Sequence, residues 1–180
     1  MILNRQRTVR VARPPLELFL RRVREQLGLG GAEFTVCLVS DAEIARMNES
    51  FRKKKGPTDV LSFPAVTWRK PVPLSPPNRN GHASVVVAAS RGEFAVRGTA
   101  VSLFGVDGSG ANDGSRYLGD IAISPATARR NAKKFDRTLP SELQILILHG
   151  VLHLLGYDHE TDRGQMSRIE QRLRRGLGLS

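Results

Sequence analysis

The sequence predicts an α+β fold in one domain, residues 1–180, carrying a long loop insertion. Three observations predict it. The chain has 180 residues, 40% of them apolar and 25% charged, an ordinary balance for one globular core. Segments with helical periodicity are interleaved with short strand-like runs on both sides of the middle of the chain. In that middle, from Trp68 to Arg116, the periodicity is lost.

The elements follow in order. "PPLELFLRRVREQL" (14–27) is a helix: Pro15 suits its first turn, and Leu16, Phe19, Leu20, Val23 and Leu27 fall on one stripe. Gly28 stops it. "TVRVA" (8–12) before it is expected as a strand, and "EFTVCLV" (33–39) after it as a buried one. "SDAE" then offers a capping box, with Ser40 as the cap and Glu43 three residues on. Ile44, Met47 and Phe51 are expected on the apolar face of that second helix. "TDVLSF" (58–63) and "YLGDIAI" (117–123) read as strands. Ser124-Pro125 opens a helix to about Phe135, Pro140 opens another, and Met166, Ile169 and Leu173 mark a last helix ending near Gly176.

Residues 68–116 break this order. "PVPLSPP" and "GVDGSGANDGS" read as solvated, partly flexible loop. "HASVVVAAS" and "EFAVRGTAVSLF" are expected to pair as a hairpin. The segment holds too few apolar residues for a core of its own, so it is an insertion and not a second domain.

Charge and cysteine content narrow the function. A net charge of +11 points to a polyanionic partner, nucleic acid before membrane, since no basic amphipathic anchor is evident. The single cysteine, Cys37, excludes an intrachain disulfide framework and suits a reducing cytosol. The basic N-terminus lacks a signal-peptide apolar stretch, and nothing is long enough to span a membrane. The expectation is a soluble, cytoplasmic protein.

"HGVLHLLGYDH" (149–159) carries three of the four histidines. His149 and His153 are four apart on an apolar helix, so both project from one face. Gly156 ends that helix in a left-handed conformation, and His159 returns to the same point. Two imidazoles from a helix and one from the following turn make a facial three-ligand site of the kind zinc accepts, with a fourth position for water. One zinc ion per chain is expected. His82, the remaining histidine, is read as solvated. The spacing matches the metalloprotease pattern H-E-x-x-H-x-x-G-x-x-H at every ligand and turn position. Gly150 stands where that pattern has the glutamate that serves as general base. A cage without its peptidase base argues against peptide hydrolysis, although Glu160, Asp158 or Asp120 are possible substitutes.

Cations suggest the substrate. Arg52, Lys53, Lys54 and Lys55 precede a strand, and Arg129, Arg130, Lys133, Lys134 and Arg137 stud a helix. Such side chains around a metal-activated water suit a phosphodiester, binding its backbone and offsetting charge on phosphorus. Arg52 and His149 are the candidate catalytic residues, Arg52 because guanidinium grips phosphate bidentately.

"MNESFRKKKGPTDVLSFP" (47–64), "LGDIAIS" (118–124) and "HGVLHLLGYDH", in this order, resemble the YbeY family of bacterial ribosomal-RNA maturation factors. The resemblance implies a small, mainly four-stranded mixed sheet packed with about five helices. It implies a single-strand-specific, metal-dependent endoribonuclease acting in 16S rRNA 3′-end maturation and ribosome quality control. The partners it implies are single-stranded RNA, small-subunit ribosomal RNA and the ribosome, with no obligate protein partner. It places the metal ligands on His149, His153 and His159, usually for zinc, and the functional arginine on Arg52. Two features depart from the family: the insertion of roughly fifty residues, and a last helix carrying Arg163, Arg168, Arg172, Arg174 and Arg175 where the family is often acidic. Two rival readings are a His₃ zinc metallopeptidase-like hydrolase and a non-catalytic ribosome-assembly factor clipped by zinc.

Overall fold

Alternate residues of the central strands feed two apolar cores of unequal size, one on each face of a sheet. A computed structural model describes residues 1–65, 67–68, 74–77, 83–85, 94–95, 103–104 and 117–179. The elements are β1 (Ile2–Asn4), α1 (Arg13–Gln26), β2 (Glu33–Leu38), α2 (Asp41–Arg52), β3 (Val60–Pro64), β4 (Thr67–Trp68), β5 (Leu74–Pro77), β6 (Ala83–Val85), β7 (Phe94–Ala95), β8 (Tyr117–Ile123), α3 (Pro125–Lys134), α4 (Leu139–Leu154) and α5 (Gln165–Leu177). Four strands make one mixed sheet in the order β1-β2-β8-β3. β1 and β8 run parallel to β2, and β3 runs antiparallel to β8. This is the α+β architecture that the sequence predicts, with its four-stranded mixed sheet and five helices.

Phe34, Val36 and Leu38 of β2 and Ile121 and Ile123 of β8 face the larger core, built with α1, α4 and α5. Cys37, Val39 and Ala122 face the smaller one with Ile44 of α2 and Leu61 of β3. Burial pushes the Cys37 thiol up to about 12, which leaves it protonated and inert. Ser40 accepts from Glu43 N–H as the sequence suggests, Ser124 accepts from Thr127 N–H, and α4 starts one residue before Pro140, where Thr138 accepts from Ser141 N–H.

Several expectations are corrected. Residues 8–12 form no strand; the first strand is β1, at residues 2–4. The buried Gln6 side chain accepts from Val9 N–H at 2.9 Å and donates to Val9 C=O at 2.9 Å. It takes the backbone bonds a neighbouring strand would have taken. β3 starts at Val60 because Asp59 Oδ1 accepts from Val60 N–H and the Thr58 hydroxyl, forming a turn. The last helix does end near Gly176, at Leu177, with Gly178 as its left-handed cap at φ 71°. Most of the expected hairpin lies outside the described residues; of its described part, β6 pairs with β5, and β7 with β4. Strands of two to four residues specify register weakly. The far end of its second arm goes elsewhere: Phe104 packs against the smaller core, and Leu103 N–H donates to Asp120 at 2.8 Å. His82 lies outside the described residues. Among the described residues, no helix is long and apolar enough to cross a membrane.

Two glycines allow close approach between neighbouring elements. Gly119 has φ +136°, and a Cβ there would stand 2.2 Å from the Phe63 carbonyl. Only glycine fits, and the adjacent Asp120 is thereby fixed on β8. At Gly150 the constraint is space: a Cβ would meet Ile121 Cγ2 at 2.8 Å, so α4 lies tight against the sheet.

Candidate metal centre

α4 is buried on almost every side, and its C-terminal turns bring His149 and His153 to the edge of the larger core. Gly156, at φ 86°, turns the chain back so that His159 joins them. Their ring centroids are 4.8, 5.5 and 5.4 Å apart. One donor atom from each histidine lies within 4.8 Å of the others. The Nε2 atoms of His149 and His153 are 3.1 Å apart. Zinc–nitrogen bonds of about 2.0–2.1 Å in a tetrahedron separate the nitrogens by roughly 3.3 Å, so this pair already has ligand spacing.

One donor is also oriented from behind. His149 Nδ1 stands 3.0 Å from Glu170 Oε2. Burial alone would raise the Glu170 carboxyl, but the hydrogen bond and charge of His149 and the Arg174 guanidinium hold it low. An anionic Glu170 keeps the proton on Nδ1 and leaves Nε2 a bare lone pair. His153 is pulled down to about 4, chiefly by burial and then by the charges of His149 and His159. It is therefore neutral at pH 7. Three imidazoles converging on one point, with His153 held neutral, fit a zinc-like divalent ion. Gly150 cannot supply a peptidase-type base: it has no side chain, and a Cβ built there points at Ile121.

The histidines form one wall of a cleft of about 920 Å³, which Phe51, Arg52 and Phe63 line as well. Arg52 Nη2 reaches Glu160 Oε1 at 3.0 Å, with both side chains substantially exposed. The three carboxylates named as substitute bases all line the cleft, and each already has a partner. Asp120 is buried and accepts from Tyr117 OH at 2.6 Å and Leu103 N–H at 2.8 Å. Asp158 accepts from Glu160 N–H and the Thr161 hydroxyl. Glu160 holds Arg52.

Of the residues expected to meet RNA, Arg52 alone is among the described residues lining the cleft. Lys53, Lys54 and Lys55 follow it as an exposed run. Arg129, Arg130, Lys133 and Lys134 are exposed on α3, where Arg130 pairs with Asp41 at 2.9 Å. Arg137 pairs with the buried Glu142 at 3.1 Å. Arg174 turns inward to Glu170, while Arg163, Arg168, Arg172 and Arg175 are exposed.

Sequence reasoning missed Glu170. The signal was present: Glu170 lies four after Met166 and three before Leu173, both buried, so it is a carboxylate on the apolar stripe of its helix. Such a group needs a buried partner. Phe51 was also misplaced. It is 60% exposed and lines the cleft instead of the core, because α2 packs through Ile44 and Asn48.

Comparison with known proteins places this geometry. The family model described as Endoribonuclease YbeY matches residues 2–178. A protein of Solibacter usitatus named Endoribonuclease YbeY is 37% identical over 167 residues, covering 93% of this chain and 80% of the relative. One of that name from Koribacter versatilis is 35% identical over 179 residues, covering 99% and 86%. The solution structure of TM1509 from Thermotoga maritima shares the fold, with a TM-score of 0.51 and 22% identity, covering 99% of this chain and 90% of that one. Matched over nearly its whole length, the chain belongs to the YbeY family.

Proposed function

We propose that the chain is a single-strand-specific, zinc-dependent endoribonuclease of the cytoplasm. In this reading it acts in 3′-end maturation of 16S ribosomal RNA and in ribosome quality control. The observation that carries the reading is the convergence of three histidines in a cleft that also presents Arg52. His149, His153 and His159 hold one zinc ion per chain. Zinc bound there supplies a Lewis acid and lowers the pKa of a water, in favourable cases to about 7. Glu170 keeps His149 in the tautomer that ligates. Arg52 binds the phosphate and stabilises the charge that builds on it, exchanging Glu160 for the substrate. The exposed cations at Lys53–Lys55 and on α3 contribute backbone contacts that position RNA without reading its bases. Residues 68–116 are an insertion carried by this one domain.

Metal analysis of the purified protein, paired with cleavage of single- and double-stranded RNA, tests the reading. The expected result is one equivalent of zinc and cleavage of the single strand, lost with a chelator. Cleavage of casein in place of RNA would replace this reading with a peptidase. Zinc-dependent folding with no turnover of any RNA would leave a structural clip.

A further inference from the structure

The wall that presents Arg52 also presents an aromatic ring with no task in the reaction. Phe51 is the neighbour of Arg52 in the chain and lines the same cleft as the three histidines. It is 60% exposed, although its helix has a core to face. Its ring meets that of Phe63 on β3 at 4.8 Å and an interplanar angle of 68°. Phe63 in turn packs against the smaller core. The contact fixes the Phe51 ring, and at that angle at least one Phe51 face has no part of Phe63 stacked on it. Leu103, 53% exposed, lines the cleft too, held by its backbone bond to Asp120. An apolar surface thus adjoins a guanidinium and a cluster of imidazoles.

A single-stranded nucleotide offers the matching pair of groups, a flat base and an anionic phosphate. We propose that Phe51 is a stacking platform for an unpaired base of the RNA substrate, beside the phosphate held by Arg52, and that this contact selects single strands over duplex. The proposal rests on the ribonuclease reading above. Its physical basis is that a duplex base is already stacked on both faces, whereas a single-stranded base can be splayed onto an aromatic ring. Stacking accepts every base, so the contact discriminates by strandedness and not by sequence. The ring is oriented beforehand by Phe63, so little freedom is lost on binding.

The test is binding of a labelled short single-stranded RNA, and of the same sequence as duplex, to the full chain and to Phe51→Ala, Phe51→Leu and Phe51→Trp. Alanine and leucine should weaken single-strand binding about 5- to 150-fold, the range for one base–aromatic stack. Tryptophan should stay close to wild type. Duplex binding, metal content and melting temperature should be the same in all four. An abasic residue moved along the RNA should, at one position, weaken the wild type by the same factor and leave Phe51→Leu unaffected. Leucine binding as tightly as phenylalanine, or losing single strand and duplex alike, would overturn the platform. Cleavage read on the same samples separates the two ideas. Phe51-dependent binding with no cleavage would keep the platform and overturn the nuclease reading. Normal cleavage and binding by Phe51→Leu would do the reverse.

Discussion

The two walls of the cleft are built on opposite physical terms. On the histidine side a chain of polar groups runs back toward the core: His149 is backed by Glu170, and Glu170 by Arg174. On the arginine side Arg52 and Glu160 meet in solvent, 41% and 58% exposed, with the exposed lysines 53–55 beside them. A half-buried, hydrogen-bonded network fixes geometry and tolerates little change. An exposed pair is worth about 0–1 kcal/mol and is easily exchanged for another partner. The first arrangement suits a group that must stay in place through every turnover. The second suits one that must release its partner to take up a phosphate.

Breaking the histidine wall should have the largest effect. His153→Ala removes one of three ligands, and the two remaining imidazoles cannot hold the ion alone. Zinc content and RNA cleavage should fall together, to background. One equivalent of zinc retained by that variant, measured by metal analysis, would contradict the three-histidine assignment.

Arg52 comes next. Arg52→Ala should lower kcat by about 10²–10³, the range for removing one transition-state donor, while metal content stays at the wild-type level. Arg52→Lys should recover only part of the rate, since a point charge replaces a bidentate fork. Full activity with lysine would reduce Arg52 to general electrostatics. Because the Arg52–Glu160 pair is exposed, Glu160→Gln should leave the melting temperature almost unchanged. A large fall would show that the arginine wall is structural after all.

Glu170 sharpens the comparison from the other side. Glu170→Gln can still bond His149 but no longer holds the Nδ1 proton by charge. Zinc affinity should fall about 10- to 100-fold, the usual effect of losing a ligand's carboxylate partner. Competition with a chelator measures this without any RNA present. Unchanged affinity would mean that Glu170 serves only to pair Arg174.

The same contrast explains what was legible in the sequence. α4 and its histidines stood out because an unbroken apolar helix, two imidazoles at i and i+4 and a turn glycine are all local signals. α1 and α5 were legible from their stripes. The carboxylate behind His149 was not, because the pairing spans 21 positions and only its place on an apolar stripe hints at it. Phe51 was misassigned because helical period gives a face but not which face the sheet leaves uncovered. β1 escaped notice because three residues carry no period, and "TVRVA" displaced it because Val9 and Val11 alternate as a strand would. What overrides that alternation is the Gln6 side chain, a local bond that no period reports.

The smallest effect expected is on salt dependence, and it separates the walls without touching the site. Each phosphate neutralised on a single strand contributes a log–log slope of about −0.7. Only some of the nine cations in the Arg52–Lys55 and Arg129–Arg137 groups can touch one strand at once, so the wild type should show a slope of roughly −3 to −5. Arg130 and Arg137 are further discounted, because each pairs with a carboxylate of the protein. Changing Lys53, Lys54 and Lys55 to Ala should flatten the slope by up to about 2 and weaken all single-stranded sequences alike, as loss of backbone contacts does. Retention of zinc should not respond to the same salt, because the metal side of the cleft is half-buried and little screened. A wild-type slope near zero would mean that the basic surface serves something other than RNA. Zinc loss that tracked salt as steeply as RNA binding would mean that the two walls are not independent.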